Sequence, residues 1–565
     1  MTSFAFPEPP TAIPPTSIER ADALVENLSR RKSAWTRTSL EDRIRYLRRC
    51  AAGVVEVAEA WATDGCKLKG IAPEASESGE EWLAGPVTTL RNIRLLIEAL
   101  ETRGAPKPVS WTEKAGRAVA TVTPNSTLEK AVFSGMSAEV YIQAGQPSTQ
   151  GAIYRSSSDD EGRVCLILGA GNVSSIPPMD LLYKLFVENE VVILKINPVN
   201  DYVGPHLERA FASLIDDGFL AIVYGGIDIG AHLTTHDAVD TLHVTGSDRT
   251  YDAIVWGSDP TEQSERKKRG ERINDRPFSA ELGCVTPVMV VPGPWSDADI
   301  EFQARNVAAM VGQNASFNCN AAKVLITAAD WPLREAFISR VRAKLAELPG
   351  RKAYYPGAED RFQRFLDHYP GALQVGEKRE GVVPWTVIPE VEPTAGEYAL
   401  TNEAFCGVLA EVSLDARSSD EFIQKMVPFA NDSCWGTLSC VVLVHPETER
   451  SYQRELEQAY ADLRYGGIAV NAFGGLIYGL VAPPWGAYPG HPPEDIQSGA
   501  GVVHNTFLFD HPEKSVVRAP FRIRPAPLWF PDHRNLRATA QRLMALEAKP
   551  QWRKVVPLVF AALRG

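Results

Sequence analysis

From Gly162 onward, short apolar runs alternate with amphipathic stretches, and this alternation limits the possible folds more than any other feature. Val164-Cys165-Leu166-Ile167-Leu168, Val191-Val192-Ile193-Leu194-Lys195, Leu220-Ala221-Ile222-Val223-Tyr224 and Thr241-Leu242-His243-Val244 are each strand-like, with amphipathic segments between the first three. The pattern predicts a parallel α/β sheet, the usual nucleotide-binding scaffold. A second alternation runs from Val288-Met289-Val290-Val291 through Lys323-Val324-Leu325-Ile326 to Cys440-Val441-Val442-Leu443-Val444 and predicts a second α/β domain.

The flanks read differently. Ser39-Leu40-Glu41-Asp42 offers an N-cap and an acidic first turn, so the first hundred residues are expected to be helical scaffold. Between Ala118 and Tyr154, Ala118–Val122 and Glu139–Ile142 are β-rich and separated by turn formers, which predicts a hairpin or arm. The stretch Val516–Arg524 contains Pro520 and therefore reads as an edge strand, a pairing candidate for that arm. Leu536, Ala540, Leu543 and Leu546 share one helical face and predict an extra C-terminal helix that must pack on something.

At 565 residues the chain exceeds what one core usually serves. Hydrophobic residues at 44% and charged residues at 23% are ordinary for a globular enzyme, and no apolar stretch is long enough to span a bilayer. The start, Met1-Thr2-Ser3-Phe4-Ala5-Phe6-Pro7-Glu8-Pro9-Pro10, has no basic-then-apolar signal pattern, and its prolines suggest an extended arm; a cytoplasmic location is the expectation. A net charge of -12 argues against a general nucleic-acid surface. The eight cysteines include no CxxC pair and the ten histidines no HExxH arrangement, so neither a disulfide framework nor a metal site is expected.

Two residues suggest covalent chemistry. Cys319 lies in the polar stretch Phe317-Asn318-Cys319-Asn320 just before a strand, a junction where reactive groups are often displayed. Glu281, in Ala280-Glu281-Leu282-Gly283, begins a strand-like segment rather than a charged helix. A soft nucleophile with a separate carboxylate base suits a reaction that passes through a thioester later cleaved by water. Asn172, in Leu168-Gly169-Ala170-Gly171-Asn172-Val173, follows the first strand, where α/β folds place ligands; its Gly-x-Gly is too short for a dinucleotide fingerprint. Thr245-Gly246-Ser247 follows the fourth strand and is suited to open a helix whose N-terminal amides meet a phosphate.

Taken in order, Asn172, Lys195 before Ile196-Asn197-Pro198, His243-Val244-Thr245-Gly246-Ser247, Glu281-Leu282-Gly283, Cys319, Glu403-Ala404-Phe405 and Val470-Asn471 form a series that resembles the aldehyde dehydrogenase superfamily, from about residue 40 to about residue 525. The resemblance implies an α/β fold with a Rossmann-type nucleotide-binding domain, an α/β catalytic domain and a small β oligomerisation arm. It places a discontinuous NAD(P)-binding domain at 1–135 and 161–280, a catalytic domain at 281–485, the arm at 136–160 and 486–528, and a helical extension at 529–565. In chemical terms it implies that Cys319 attacks an aldehyde carbonyl, that the Asn172 amide and the Cys319 backbone N–H hold the oxyanion, and that Glu281 activates water against the thioester. Lys195, Gly246, Ser247, Glu403 and Phe405 would contact NAD or NADP, no metal is involved, and a homodimer or homotetramer is implied, with Val516–Arg524 pairing to a partner chain.

Several positions depart from the family pattern. The tryptophan usual before the asparagine is Gly171, the Phe-Pro after it is Val173-Ser174, the second glycine of the glutamate motif is Cys284, and the Gly-Gln before the nucleophile is Phe317-Asn318. Lys323 comes one position early, and the Phe-Gly-Pro-Val motif reads Phe405-Cys406-Gly407-Val408. Three residues after Lys195, where an acidic residue often selects NAD, stands Pro198, which leaves NADP open. Two alternatives stand beside aldehyde oxidation to an acid: an acyl-CoA reductase or CoA-acylating dehydrogenase, which Gly171-Asn172-Val173 also resembles, and a non-catalytic relative of the fold.

Overall fold

The apolar runs become strands because their β-branched residues are buried on both faces, as helices on either side of a parallel sheet require. In the computed structural model, which describes residues 13–155 and 161–565, a six-stranded sheet runs in the order Gly499–Ala500, Phe278–Glu281, Thr241–Thr245, Val164–Leu168, Val191–Lys195, Leu220–Val223. All but the short Gly499–Ala500 edge strand are parallel. The chain reverses its direction of travel across this sheet at Val164–Leu168, so Gly169–Asn172 falls at the switch point, outside the strands' carboxyl ends.

A second, eleven-stranded sheet carries the Cys319 side of the molecule. Its parallel centre comprises Gly467–Val470, Ser439–Leu443, Pro287–Val290, Val324–Ala328, Val408–Leu414 and Thr386–Val391. The antiparallel strands Ser110–Lys114, Arg117–Thr123 and Ser137–Ile142 extend it on one side, so residues 110–123 belong to this sheet and not to the six-stranded one.

Pro512–Arg518 joins those two parts, and here the edge-strand expectation is corrected. The strand pairs with Ser137–Ile142 on one side and Gly467–Val470 on the other, both within one chain. It ends at Arg518, ahead of Pro520, so the proline removes no ladder hydrogen bond. With both edges occupied, it has no free edge for the expected pairing with a partner chain. The extended start at Met1–Pro10 and the arm residues 156–160 lie outside the described residues.

Ser39 caps the long helix Leu40–Lys69 as its sequence predicts, accepting from the Asp42 N–H, and Gly70 closes that helix at φ 67°. The C-terminal helix Leu536–Ala548 is followed by a second, Trp552–Ala562, which the sequence reading did not find. Leu536–Ala548 docks on Gly79–Trp82 and Thr88–Glu101 of the N-terminal helical layer. A buried ionic cluster fastens it. Arg91 donates to Glu129 at 2.6 Å, to Glu547 at 2.8 Å and to the Leu480 carbonyl at 2.8 Å, and Arg94 donates to Glu547 at 2.7 Å. Arg91→Met would leave two buried carboxylates short of a cation. We expect it to destabilise the fold by about 3–5 kcal/mol, read as a lowered unfolding midpoint in denaturant.

Candidate active site

Three segments converge on one pocket. Glu281 is the last residue of a strand, and the small cluster Val244, Tyr251, Val255, Trp256, Ala280, Leu282 and Ile496 packs around that strand's end. Trp485 stands across from it and donates its indole N–H to Glu281 Oε1 at 3.1 Å. Cys319 arrives on the loop after helix Asp297–Gly312. The pocket is narrow and is lined by both residues together with Val173, Asp180, Thr245 and Tyr478.

The Cys319 loop reaches this position through an unusual backbone. Asn314, Ala315 and Ser316 are all left-handed, at φ 52°, 54° and 69°. Non-glycine residues adopt that region at a cost of about 1–3 kcal/mol each, so other contacts must hold the turn. Asn314 Nδ2 donates to the carbonyls of Asn172 and Phe317, both at 3.1 Å, and to Asn318 Oδ1 at 3.0 Å. Tyr354 OH donates to the Asn172 carbonyl at 2.9 Å and to Asn314 Oδ1 at 3.0 Å. From beneath, the buried Lys323 ammonium donates to the carbonyls of Cys284 at 2.8 Å, Ala321 at 3.1 Å, and Asn318 and Cys319, each at 3.3 Å. Its remaining charge meets Glu403 at 3.1 Å. Lys323, one position early in sequence, thus ties the nucleophile loop to the strand below.

The Cys319 thiol and the Glu281 carboxylate line the same pocket, and each alters the other's hold on its proton. Burial, reinforced by the charges of Asp180 and Glu403, pushes the Glu281 carboxyl up to about 7, against the lowering effect of Cys319 and of the Trp485 hydrogen bond. Burial and the adjacent Glu281 charge likewise push the Cys319 thiol well above its ordinary value, while Lys323 draws it down. A thiol and a carboxylate poised near neutrality in one pocket are the pair of groups that covalent catalysis with a separate base needs.

Asn172 also reaches this site, but its amide is turned elsewhere. Asn172 Nδ2 donates to the Phe317 carbonyl at 3.0 Å, and the residue does not line the pocket. Asp180 and Thr245, in contrast, do line it; from the sequence Thr245 was read only as part of the phosphate-facing turn, and Asp180 was not singled out. Thr245 Oγ1 donates to Asp180 Oδ2 at 2.9 Å, His243 Nε2 lies 3.4 Å from the same oxygen, and His243 Nδ1 lies 2.8 Å from Ser279 Oγ. A signal was available: Asp180 is a lone carboxylate in the apolar helix Ile176–Phe186 that follows the switch-point turn.

The predicted cofactor residues separate into two groups. Lys195 ends one strand of the six-stranded sheet and Gly246-Ser247 follow the carboxyl end of another, with Val164–Leu168 between them. Ser247 caps helix Asp248–Trp256, and the Gly246 N–H donates to the Glu281 carbonyl at 3.0 Å, which ties this turn to the Glu281 backbone. Burial draws the Lys195 ammonium down to about 8, and among the described residues it forms no ion pair. A Cβ on Gly246 would meet only Val244, at 3.5 Å, so the turn is open above. An uncompensated ammonium and the N-terminal amides of a capped helix, both at the carboxyl edge of one parallel sheet, suit a nucleotide's ribose and phosphates. Glu403 and Phe405 lie behind the nucleophile loop. Glu403 accepts from Lys323 and from the Cys284 N–H at 3.3 Å, and Phe405 packs 5.8 Å from the Phe317 ring and 5.0 Å from Tyr355. Neither lines the pocket. Gly283 is needed for this arrangement, since a Cβ there would stand 2.0 Å from Glu403 Oε2.

Comparison with known proteins agrees with this geometry. Residues 164–357, which carry the switch-point turn, Glu281 and Cys319, match the model of the aldehyde dehydrogenase family. No curated protein matches the sequence. Among solved structures, the chain is similar to an NADP-dependent glyceraldehyde-3-phosphate dehydrogenase from Bacillus halodurans complexed with NADP, at 17% identity and TM-score 0.60 over 89% of this chain and 92% of that one. It is also similar to a salicylaldehyde dehydrogenase from Pseudomonas putida complexed with salicylaldehyde, at 15% identity and TM-score 0.61 over 93% and 96%. A third is a mutant form of aldehyde dehydrogenase C from Pseudomonas syringae in complex with NAD+ and octanal, at 15% identity and TM-score 0.60 over 93% and 97%. The likenesses to solved structures establish the architecture, and the match to the aldehyde dehydrogenase family model spans the switch-point turn, the buried glutamate and the cysteine loop.

Proposed function

We propose that the protein oxidises an aldehyde to a carboxylic acid with NAD+ or NADP+, through a thioester on Cys319. The observation that carries this reading is that Cys319 and the buried Glu281 carboxylate line one pocket. In this reading Glu281 takes the thiol proton as sulfur adds to the aldehyde carbon. The oxyanion then forms beside the Cys319 N–H and within reach of the Asn172 turn, whose amide must leave the Phe317 carbonyl to serve it. The cofactor, which Lys195, Gly246 and Ser247 would hold, would supply the hydride acceptor. Glu281 releases the thiol proton to solvent and then removes a proton from water as the water adds to the acyl carbon. The C–S bond breaks, the departing sulfur takes that proton back from Glu281, and Trp485 keeps the carboxylate aimed throughout.

Lys195, Gly246 and Ser247 hold the nucleotide in this proposal. Glu403 and Phe405 reach its nicotinamide ribose only if Glu403 exchanges its bond to Lys323 for the ribose hydroxyls. The six-stranded sheet serves as the nucleotide-binding domain, the parallel part of the larger sheet as the catalytic domain, and its antiparallel strands as the arm. A cytoplasmic location accords with cysteines that are all free thiols among the described residues, and a homodimer or homotetramer is part of the same proposal. No helix among the described residues is long and apolar enough to cross a membrane.

Glu281 favours hydrolysis over acyl transfer to coenzyme A, because a base poised near neutrality beside the thioester would divert the acyl group to water. The test is an aldehyde panel with NAD+ and NADP+, each with and without coenzyme A. Acid formation independent of coenzyme A is expected, and acyl-CoA as the only product would reject the hydrolytic route. On the best substrate, Lys195→Ala is expected to raise KM for the cofactor about tenfold or more with a smaller effect on kcat, as loss of a charged hydrogen bond implies.

A further inference from the structure

The last helix, Trp552–Ala562, has two apolar faces, and the fold covers only one of them. Val555 and Leu558 are buried, packed in a small cluster with Leu128, Ala131, Val132 and Leu543. On the other side Trp552 is 57% exposed, Val556 57%, Phe560 62% and Leu563 61%. With Val559 these positions are spaced i, i+4, i+7, i+8 and i+11, a continuous stripe along the helix.

The charge around the stripe has one sign. Lys130, Arg542, Lys549, Arg553 and Arg564 are exposed on the three helices that meet at this corner and in their connections. The only carboxylates in those helices, Glu129 and Glu547, are buried against Arg91. This corner is therefore basic on a chain whose formal net charge is -12. A two-fold contact between copies would bring each basic corner against its twin, which opposes self-association there. A short helix with Trp, Phe and Leu on one face and cations at its margins has instead the character of a segment that lies in the headgroup region of an anionic bilayer.

We propose that this C-terminal corner docks on an anionic lipid surface, with Trp552, Val556, Phe560 and Leu563 inserted and Arg553 and Arg564 against the headgroups. The helix is too short to span a bilayer, so the contact is peripheral and reversible. It does not depend on the reaction proposed above.

The full-length protein is sedimented with vesicles of phosphatidylcholine alone and of phosphatidylcholine mixed with phosphatidylglycerol, at low and high salt. Pelleting with the anionic vesicles only, weakened by salt, is expected. Val556→Asp with Phe560→Asp is expected to reduce it at least about tenfold, and Arg553→Gln with Arg564→Gln to reduce it several-fold. All four side chains are exposed, so unfolding midpoints should stay at the wild-type value. The proposal is overturned if neither vesicle pellets the protein or if pelleting survives both double variants. It is also overturned if Val556→Asp with Phe560→Asp changes only the oligomer mass in sedimentation velocity, which would make the stripe a contact between copies.

Discussion

Cys319→Ala is expected to lower aldehyde-dependent reduction of NAD(P)+ by on the order of 10⁴-fold or more, because removing the nucleophile of a covalent mechanism leaves only binding and orientation. The fold should survive. Cys319 is small and partly open to the pocket, and the strained turn at Asn314–Ser316 is held by Asn314, Tyr354 and Lys323, none of which bonds to the thiol. An unchanged unfolding midpoint with activity lost would place the effect in the chemistry. Turnover close to wild type in this variant would reject Cys319 as nucleophile and the proposed function with it.

Glu281→Gln should separate the two halves of the reaction. Water activation by a positioned base contributes about 10²–10⁴-fold, so steady-state turnover is expected to fall by that factor. The acyl-enzyme should then accumulate, seen as a stoichiometric burst of NAD(P)H and as a mass increase on Cys319. In the wild type, turnover should rise with pH through about 7, where the Glu281 carboxyl ionises, and the variant should lose that limb. Stability supplies a second readout. Burial raises this carboxyl from 4.5 to about 7, so the folded chain holds the proton more tightly than the unfolded one does. The wild type therefore loses stability as pH rises across that interval and bears the full cost of a buried charge above it. Glutamine carries no charge and still accepts from Trp485. The variant should thus be the more stable protein at pH 8, with the difference vanishing towards pH 4.5. Equal stability at both pH values would show that Glu281 is solvated in the folded state.

Much of this was visible in the chain before its structure. The runs at Val164, Val191, Leu220 and Thr241 are strands of one parallel sheet, since continuous β-branched burial has few other outcomes. The order of motifs placed Cys319 and Glu281 in one reaction, and the structure sets them in one pocket. Other features were not legible. Pro520 suggested an edge strand, yet strand ends depend on which neighbours are available, and Pro512–Arg518 finds one on each side. Helix Trp552–Ala562 went unnoticed because Pro557 lies inside it, a residue that ordinarily argues for a break. Asp180 was hidden for another reason: its importance lies in facing Thr245 and His243, which are distant in sequence.

Local pattern by itself determined the strands, the helix cap at Ser39 and the switch-point turn, because each depends on side chains only a few positions apart, while the long-range order of motifs singled out Cys319 and Glu281 as candidates. Only the tertiary structure decided how those residues behave. It turned the Asn172 amide onto Phe317, engaged Glu403 with Lys323, and raised the Glu281 carboxyl by enclosing it with Trp485, Asp180 and Cys319. Hydrogen-bond partners and desolvation are set by groups brought together across the fold, and no periodicity in the chain encodes them.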